Sequence, residues 1–362
     1  MTPQLGPVLV VGTGLVGTSV GLALRRASVD VHLADVDPAH VRVAESRGAG
    51  SRELPARAWL VVVAVPPDHV AAAVVQALRD WPAATVTDVG SVKAAPLAAV
   101  SATDADVSRY VGSHPMAGSE QSGPWAASAD LFDGRAWAVT PHADADASAV
   151  AGVRALAQAC GASVVEMTVT EHDATVARVS HLPHLMSVLT AARLVDGPDA
   201  HLELAGQGLR DVTRVAGGDP GLWRQILRAN AGELTGLLRA VRDDVDVLLG
   251  ALTSPADLSP GSDRFRSLDM LLGRGQEGTR LIPGKHGAPA TAMVTVFVAV
   301  PDRPGELARL FADAGRSGVN VEDVHIDHDP ARDVGLVELL VGPGAADRLV
   351  AALTALGWSA HR

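Results

Sequence analysis

The chain has a single cysteine, Cys160, so no intrachain disulfide can form and a reducing compartment is expected. It has no long apolar run: stretches such as Trp59 to Val65 are far too short to span a bilayer. The start lacks the basic-then-apolar pattern of a secretory signal, and a strand-like run begins at Pro7. These absences set the expectation of a cytoplasmic protein with no membrane partner. Basic clusters are missing too, and the formal net charge is −11, which argues against nucleic acid as a partner. Any anionic ligand must then be held by local cations against the global field. Lysine is nearly absent, with only Lys93 and Lys285 among 30 basic residues. A lysine beside a site is therefore worth noticing, although chance explains two residues as well.

What is present is apolar and organised. At 362 residues, 48% of them hydrophobic, the chain is long enough for two or three domains. Pro7 to Val11 is a β-branched run suited to a buried strand. It leads into Gly12-Thr13-Gly14-Leu15-Val16-Gly17, a helical pattern through Arg26, and a second strand from Val29 to Ala34 that ends at Asp35. That order is the dinucleotide-binding arrangement. The first glycine makes the turn, the second admits the pyrophosphate, and the third packs helix on strand. Asp35 would accept hydrogen bonds from the ribose hydroxyls and repel a 2′-phosphate, and no arginine follows it, so NAD is favoured over NADP. Val65-Pro66-Pro67 stops the next strand at the sheet's carboxyl edge, over the cofactor.

Further strand-and-helix units bring Asp88-Val89-Gly90-Ser91-Val92-Lys93 to the same edge. A strand at Tyr110 to Gly112 is expected to deliver a loop, Val111 to Gly123, that holds His114 beside Pro115. Imidazole titrates near neutrality, so a rigidly held histidine suits proton transfer. Ligands in open α/β sheets bind outside the carboxyl ends of the strands, so the glycine turn, Ser91, Lys93 and His114 are expected to converge. From Thr170 to about Leu272 the texture is helical, with breaks near Gly197, Gly217 and Ser254. His181 and His184 lie one turn apart there, but no third ligand accompanies them and no metal site is expected. Gly273 to Ala292 has the composition of a linker. Beyond it the order β-α-β-β-α-β describes a ferredoxin-like module. The expected architecture is α/β: a Rossmann-type domain over residues 1–167, an all-helical domain over 168–280 that closes the cleft and pairs subunits, a linker at 281–292, and the small module at 293–362.

The joint occurrence of GTGLVG, TDVGSVK (87–93), GSHPMAGSE (112–120), SHLPH (180–184) and RDVTR (210–214) resembles the prephenate dehydrogenase family of tyrosine biosynthesis, carrying a C-terminal ACT domain. The resemblance implies NAD-dependent oxidative decarboxylation of prephenate by a homodimer. It implies catalytic roles for His114, at the substrate hydroxyl, and Ser91, which would orient the imidazole. It implies substrate contacts from Arg214 (a carboxylate clamp), Asp211 (orienting Arg214), Glu120 (ordering the entrance) and His184 (lining the cleft), with His181 packing. The cofactor residues would be Gly12, Thr13, Gly14, Leu15, Val16, Gly17, Asp35 and Val65. Gly305 and Asn320 match the ACT pattern, where the end product tyrosine would bind as effector. Arogenate in place of prephenate, another hydroxyacid dehydrogenase, and a non-catalytic NAD-bound sensor are the alternatives. The role of Lys93 stays open.

Overall fold

The computed structural model describes residues 5–118, 122–253, 261–282, 293–328 and 334–362. These form two compact units, one reaching to Pro198 and resuming over Val212–Arg242, the other comprising Asp199–Asp211 and the chain from Asp243 onward.

In the first unit β1 (Val8–Val11), α1 (Leu15–Arg26), β2 (Val31–Ala34), α2 (Pro38–Ser46), β3 (Leu60–Val63), α3 (Pro67–Asp80) and β4 (Thr85–Asp88) build a parallel sheet of order β2-β1-β3-β4. The central strands are valine and leucine runs buried on both faces, as a parallel sheet covered by helices requires. Thus the α/β Rossmann-type arrangement is present. Next come α4 (Ala94–Ser101), β5 (Gly112–Pro115), β6 (Ala136–Thr140), α5 (Ala147–Ala159) and β7 (Ser163–Glu166). They form a second sheet, β5-β6-β7, with β5 antiparallel to β6, and a single Val86–Tyr110 bridge ties β4 to the segment entering β5.

One expectation is corrected here. His114 does not sit in a loop after a strand ending at Gly112; it lies inside β5, paired with Ala138. The small residues at 112 and 113 explain the shift. A side chain on Gly112 would collide with Thr140 and with the buried stem of Lys93, so this strand must begin narrow. Rigidity at His114 comes from strand pairing rather than from Pro115 alone.

The helical continuation is α6 (Val169–Val176), a π-helical turn at Ala177–His181, and α7 (Leu182–Val195). Pro183 lacks the amide that a continuous α-helix would need, and the wider turn just before it absorbs the mismatch. After α8 (Gln207–Thr213) and a 3-10 turn at Arg214–Gly217 come α9 (Pro220–Ala229) and α10 (Ala231–Leu252), which carries the chain from the first unit into the second. The latter contains α11 (Asp263–Arg280), capped by Ser262 Oγ on the amide of Phe265. The expected linker therefore does not start at Gly273, because the helix runs to Arg280; residues 283–292 lie outside the described residues. The last elements are β8 (Val294–Pro301), α12 (Glu306–Arg316), β9 (Val321–His328), β10 (Val334–Val341), α13 (Ala346–Ala355) and β11 (Ser359–His361). Their sheet has the order β11-β8-β10-β9, antiparallel throughout, with Val296, Val298, Leu339, Leu310 and Leu349 in a core of their own.

Candidate active site

The glycine turn has the geometry its sequence requires. Gly12 has φ +98, and a Cβ there would lie 2.4 Å from the carbonyl of Ala64. At Gly17 a Cβ would lie 1.9 Å from the carbonyl of Gly12, so α1 packs on β1 only with glycine. Gly14 is different: a Cβ would meet nothing within 4 Å, and α1 starts there with no side-chain cap. An open glycine and uncapped amides at a helix N-terminus fit a pyrophosphate. Thr13 donates its amide and its hydroxyl to Asp35 Oδ2 (2.6 and 2.9 Å), and the amide of Asp37 donates to Oδ1 (2.9 Å). The carboxylate is thus fixed at the end of β2, half-buried, beside a fully exposed Val36. Val65 closes the other side, with a methyl carbon 3.1 Å from a Cβ built on Gly12. Leu15 and Val16 are the first residues of α1.

Around His114 the chain forms a polar network in an apolar setting. His114 Nδ1 lies 3.0 Å from His172 Nε2, and His172 Nδ1 lies 2.8 Å from Asp173 Oδ1. Asp173 also accepts the amides of Lys93 and Ala94, both at 2.8 Å, so it ties α6 to the start of α4. Burial opposes ionisation of Asp173, yet the bonds from His172 and these two amides outweigh it and lower its pKa. Among the described residues the one hydrogen bond of the His114 ring is through Nδ1. Burial holds the His114 pKa well below the ordinary histidine value, with His172, Lys93 and His181 pushing the same way. The ring is therefore neutral at pH 7.

Beneath this pair Lys93 is 1% exposed; it donates to Asp88 Oδ2 and, at 2.8 Å, to the carbonyl of Ser113, the residue before His114. Asp88 also accepts from Tyr110 Oη (2.7 Å) and from the amide of Gly90 (2.9 Å). Burial lowers the Lys93 pKa and raises that of Tyr110 well above its usual value. Lys93 thus anchors β5 from below. The partner that orients the imidazole through Nδ1 is His172. Ser91 lines a cleft of about 350 Å³ with Pro67, Asp68, Gly90 and Arg228.

The helical residues are placed less uniformly. His181 is buried, 3.2 Å from Asn230 Nδ2, which also donates to the carbonyl of Asp173; burial lowers its pKa to about 4. His184 is buried and stacked on Trp223 with ring centroids 3.4 Å apart. Burial lowers its pKa, and among the described residues its buried Nδ1 has no hydrogen-bond partner. Arg214 is exposed and opens the 3-10 turn that packs on α7. Asp211, in α8, accepts from Gln207 Nε2 (2.8 Å). Glu120 lies outside the described residues. Gly305 has φ +93 and caps α12, and Asn320, exposed, donates to Glu322. Sequence reasoning missed the roles of His172 and Asp173, although the polar run Glu171-His172-Asp173 was visible; no spacing rule links it to a histidine 58 residues earlier.

Comparison with known proteins identifies the family. The family described as "Prephenate dehydrogenase, nucleotide-binding domain" matches residues 20–166, and "Prephenate dehydrogenase, dimerization domain" matches residues 168–256. The probable prephenate dehydrogenase NovF of Streptomyces niveus is 37% identical over 358 residues, 98% of this chain and 99% of that one. Prephenate dehydrogenase of Bacillus subtilis is 23% identical, covering 90% of this chain and 89% of its own. The fold resembles that of a prephenate dehydrogenase from A. aeolicus solved with hydroxyphenyl propionate and NAD+, at a TM-score of 0.66, 24% identity, and coverage of 76% of this chain and 99% of that one.

Proposed function

The chain belongs to the prephenate dehydrogenase family, NAD-dependent oxidoreductases of tyrosine biosynthesis, and we propose that His114 is the group at which its chemistry is organised. The reaction converts prephenate to 4-hydroxyphenylpyruvate and CO2. NAD, when bound, supplies the hydride acceptor. The open Gly14 and the amides of Leu15 and Val16 hold its pyrophosphate, and Asp35 its adenine ribose. The observation that carries the assignment is a neutral imidazole, fixed in β5 through its Nδ1 contact with His172, with no bond at Nε2 among the described residues.

His114 Nε2 accepts the hydrogen bond of the ring hydroxyl and takes its proton as the carbon beneath is oxidised. Loss of CO2 returns the bonding electrons to the ring, and the resulting phenolate oxygen recovers the proton from His114. Counting charges, a dianion and an oxidised cofactor become a monoanion, CO2 and a reduced cofactor, so no net proton leaves. Gain of aromaticity drives the step, and the protein's task is positioning and charge stabilisation. Arg214 clamps a substrate carboxylate through its planar fork. Ser91 faces the substrate from its cleft, and His184 with Trp223 supports the turn that carries Arg214.

The enzyme works as a cytoplasmic homodimer paired through the helical segment, whose α7 exposes Leu189 and Val195. The division into a Rossmann domain to residue 167, a helical domain to 280 and an ACT domain from 293 follows from the same reading. Strand order and the left-handed Gly305 at the head of α12 support the ACT assignment, with tyrosine as effector near Gly305 and Asn320. The test of function is the rate of reduced-cofactor formation with prephenate and arogenate, each against NAD and NADP. Prephenate with NAD is expected to give the highest kcat/KM. Faster turnover of arogenate would reassign the substrate, and no turnover of either would leave a sensor.

A further inference from the structure

We infer that Asp173 and His172 lock His114 as the Nδ1–H tautomer, so that its Nε2 lone pair faces the substrate hydroxyl. This rests on the proposed role of His114 and names the residues that make it possible.

The argument runs along the hydrogen bonds. Asp173 accepts the amides of Lys93 and Ala94, one on each carboxylate oxygen, and these donors cannot be reversed. An ionised carboxylate only accepts, so His172 must donate from Nδ1 to Oδ1 across 2.8 Å. A neutral imidazole that donates at Nδ1 accepts at Nε2. His172 Nε2 is 3.0 Å from His114 Nδ1, so His114 donates there, and Nε2 is left as its only acceptor. A doubly protonated His172 would reverse the last bond and present an N–H to the hydroxyl, which cannot take a proton.

The same chain steadies the transient charge. When the hydroxyl proton reaches Nε2, His114 becomes an imidazolium in a buried place, beside Lys93 and His181. Its Nδ1–H bond to His172, backed by the Asp173 carboxylate, strengthens at that moment. Because the proton goes back to the product oxygen, His172 does not have to pass it on. It is a positioning residue.

The direct test is the 15N spectrum of the His114 ring in the full-length enzyme at neutral pH, assigned by its loss in His114→Asn. The expected spectrum has a protonated Nδ1 and a bare Nε2. A protonated Nε2 overturns the inference whatever the variants do. In His172→Phe, Nε2–H should gain population, and kcat should fall by roughly 10²–10⁴, the span for a misplaced acid–base group. KM for prephenate and NAD affinity should hold. His172→Gln, whose amide oxygen can replace the lost acceptor, should recover at least a tenth of wild-type kcat. Wild-type kcat in His172→Phe contradicts the inference. If His114→Asn keeps full activity, the role of His114 fails instead, and the wild-type spectrum still decides the tautomer.

Discussion

His114 Nδ1 and His172 Nε2 meet at 3.0 Å across 58 residues of sequence, and that contact joins the end of β5 to the first helix of the helical segment. Through Asp173 the same contact reaches the start of α4, which also holds Lys93. The candidate site is therefore a junction of three elements, each fixed by a buried polar group.

Arg214 is exposed on the turn that packs against α7, and it is the proposed carboxylate clamp. Replacing it with Ala should raise KM for prephenate by ten-fold or more, the loss of a charge-assisted hydrogen bond of about 1.5–3 kcal/mol. Arg214→Lys should recover only part, since an ammonium cannot form the bidentate fork. Equal KM values in steady-state assays of all three proteins would place Arg214 outside the site.

Asp35 is tied to Thr13 and to the amide of Asp37 at the end of β2, and it is the proposed ribose contact. Asp35→Ser should narrow the preference for NAD over NADP, measured as the ratio of kcat/KM values. Because Thr13 loses its acceptor, NAD affinity should fall as well. A wild-type enzyme that uses NADP as well as NAD would refute the assignment.

Lys93 and Asp88 form a buried pair, 1% and 0% exposed. Lys93→Met leaves the Asp88 carboxylate without its cation, and such a break costs about 3–5 kcal/mol. The denaturant midpoint should drop accordingly, and the double variant with Asp88→Asn should regain much of it. An unchanged midpoint in the single variant would show that the pair contributes little.

Stability should also depend on pH. His181 has a folded pKa of about 4, against about 6.5 in the unfolded chain. Between those values only the unfolded chain binds the proton, so stability is full above pH 6.5 and declines as pH falls toward 4. His114, lowered in the same direction, adds to the slope. Each such histidine contributes at most about 1.4 kcal/mol per pH unit. His181→Asn should flatten the profile in that window, as read by chemical denaturation; a profile as steep as wild type would mean His181 is charged in the fold.

The Rossmann half was legible in the chain because its signals are local. Gly12, Gly14 and Gly17 lie within one turn, and β1 and β3 are continuous apolar runs. The C-terminal strands and helices were legible for the same reason, each alternating or periodic on its own. His114 and its strand were misplaced by two or three residues, since Gly112 and Ser113 carry no β preference, and the crowding of Gly112 by Thr140 and Lys93 is a contact between distant elements. The orienting partner of His114 was hidden because side-chain contacts between distant elements leave no trace in spacing.

The ACT assignment is tested by tyrosine. Gly305→Val forces a β-branched residue to φ +93 and should abolish tyrosine inhibition while leaving basal activity. A chain ending at Leu281 should behave likewise. Tyrosine sensitivity equal to wild type in both proteins would remove the C-terminal sheet from regulation.

The most direct measurement is the rate of NADH formation from prephenate by His114→Ala beside wild type, with NAD affinity determined by titration on both. A fall in kcat of roughly 10²–10⁴ with NAD affinity held is the predicted result. Retention of most of the wild-type kcat by His114→Ala would contradict it.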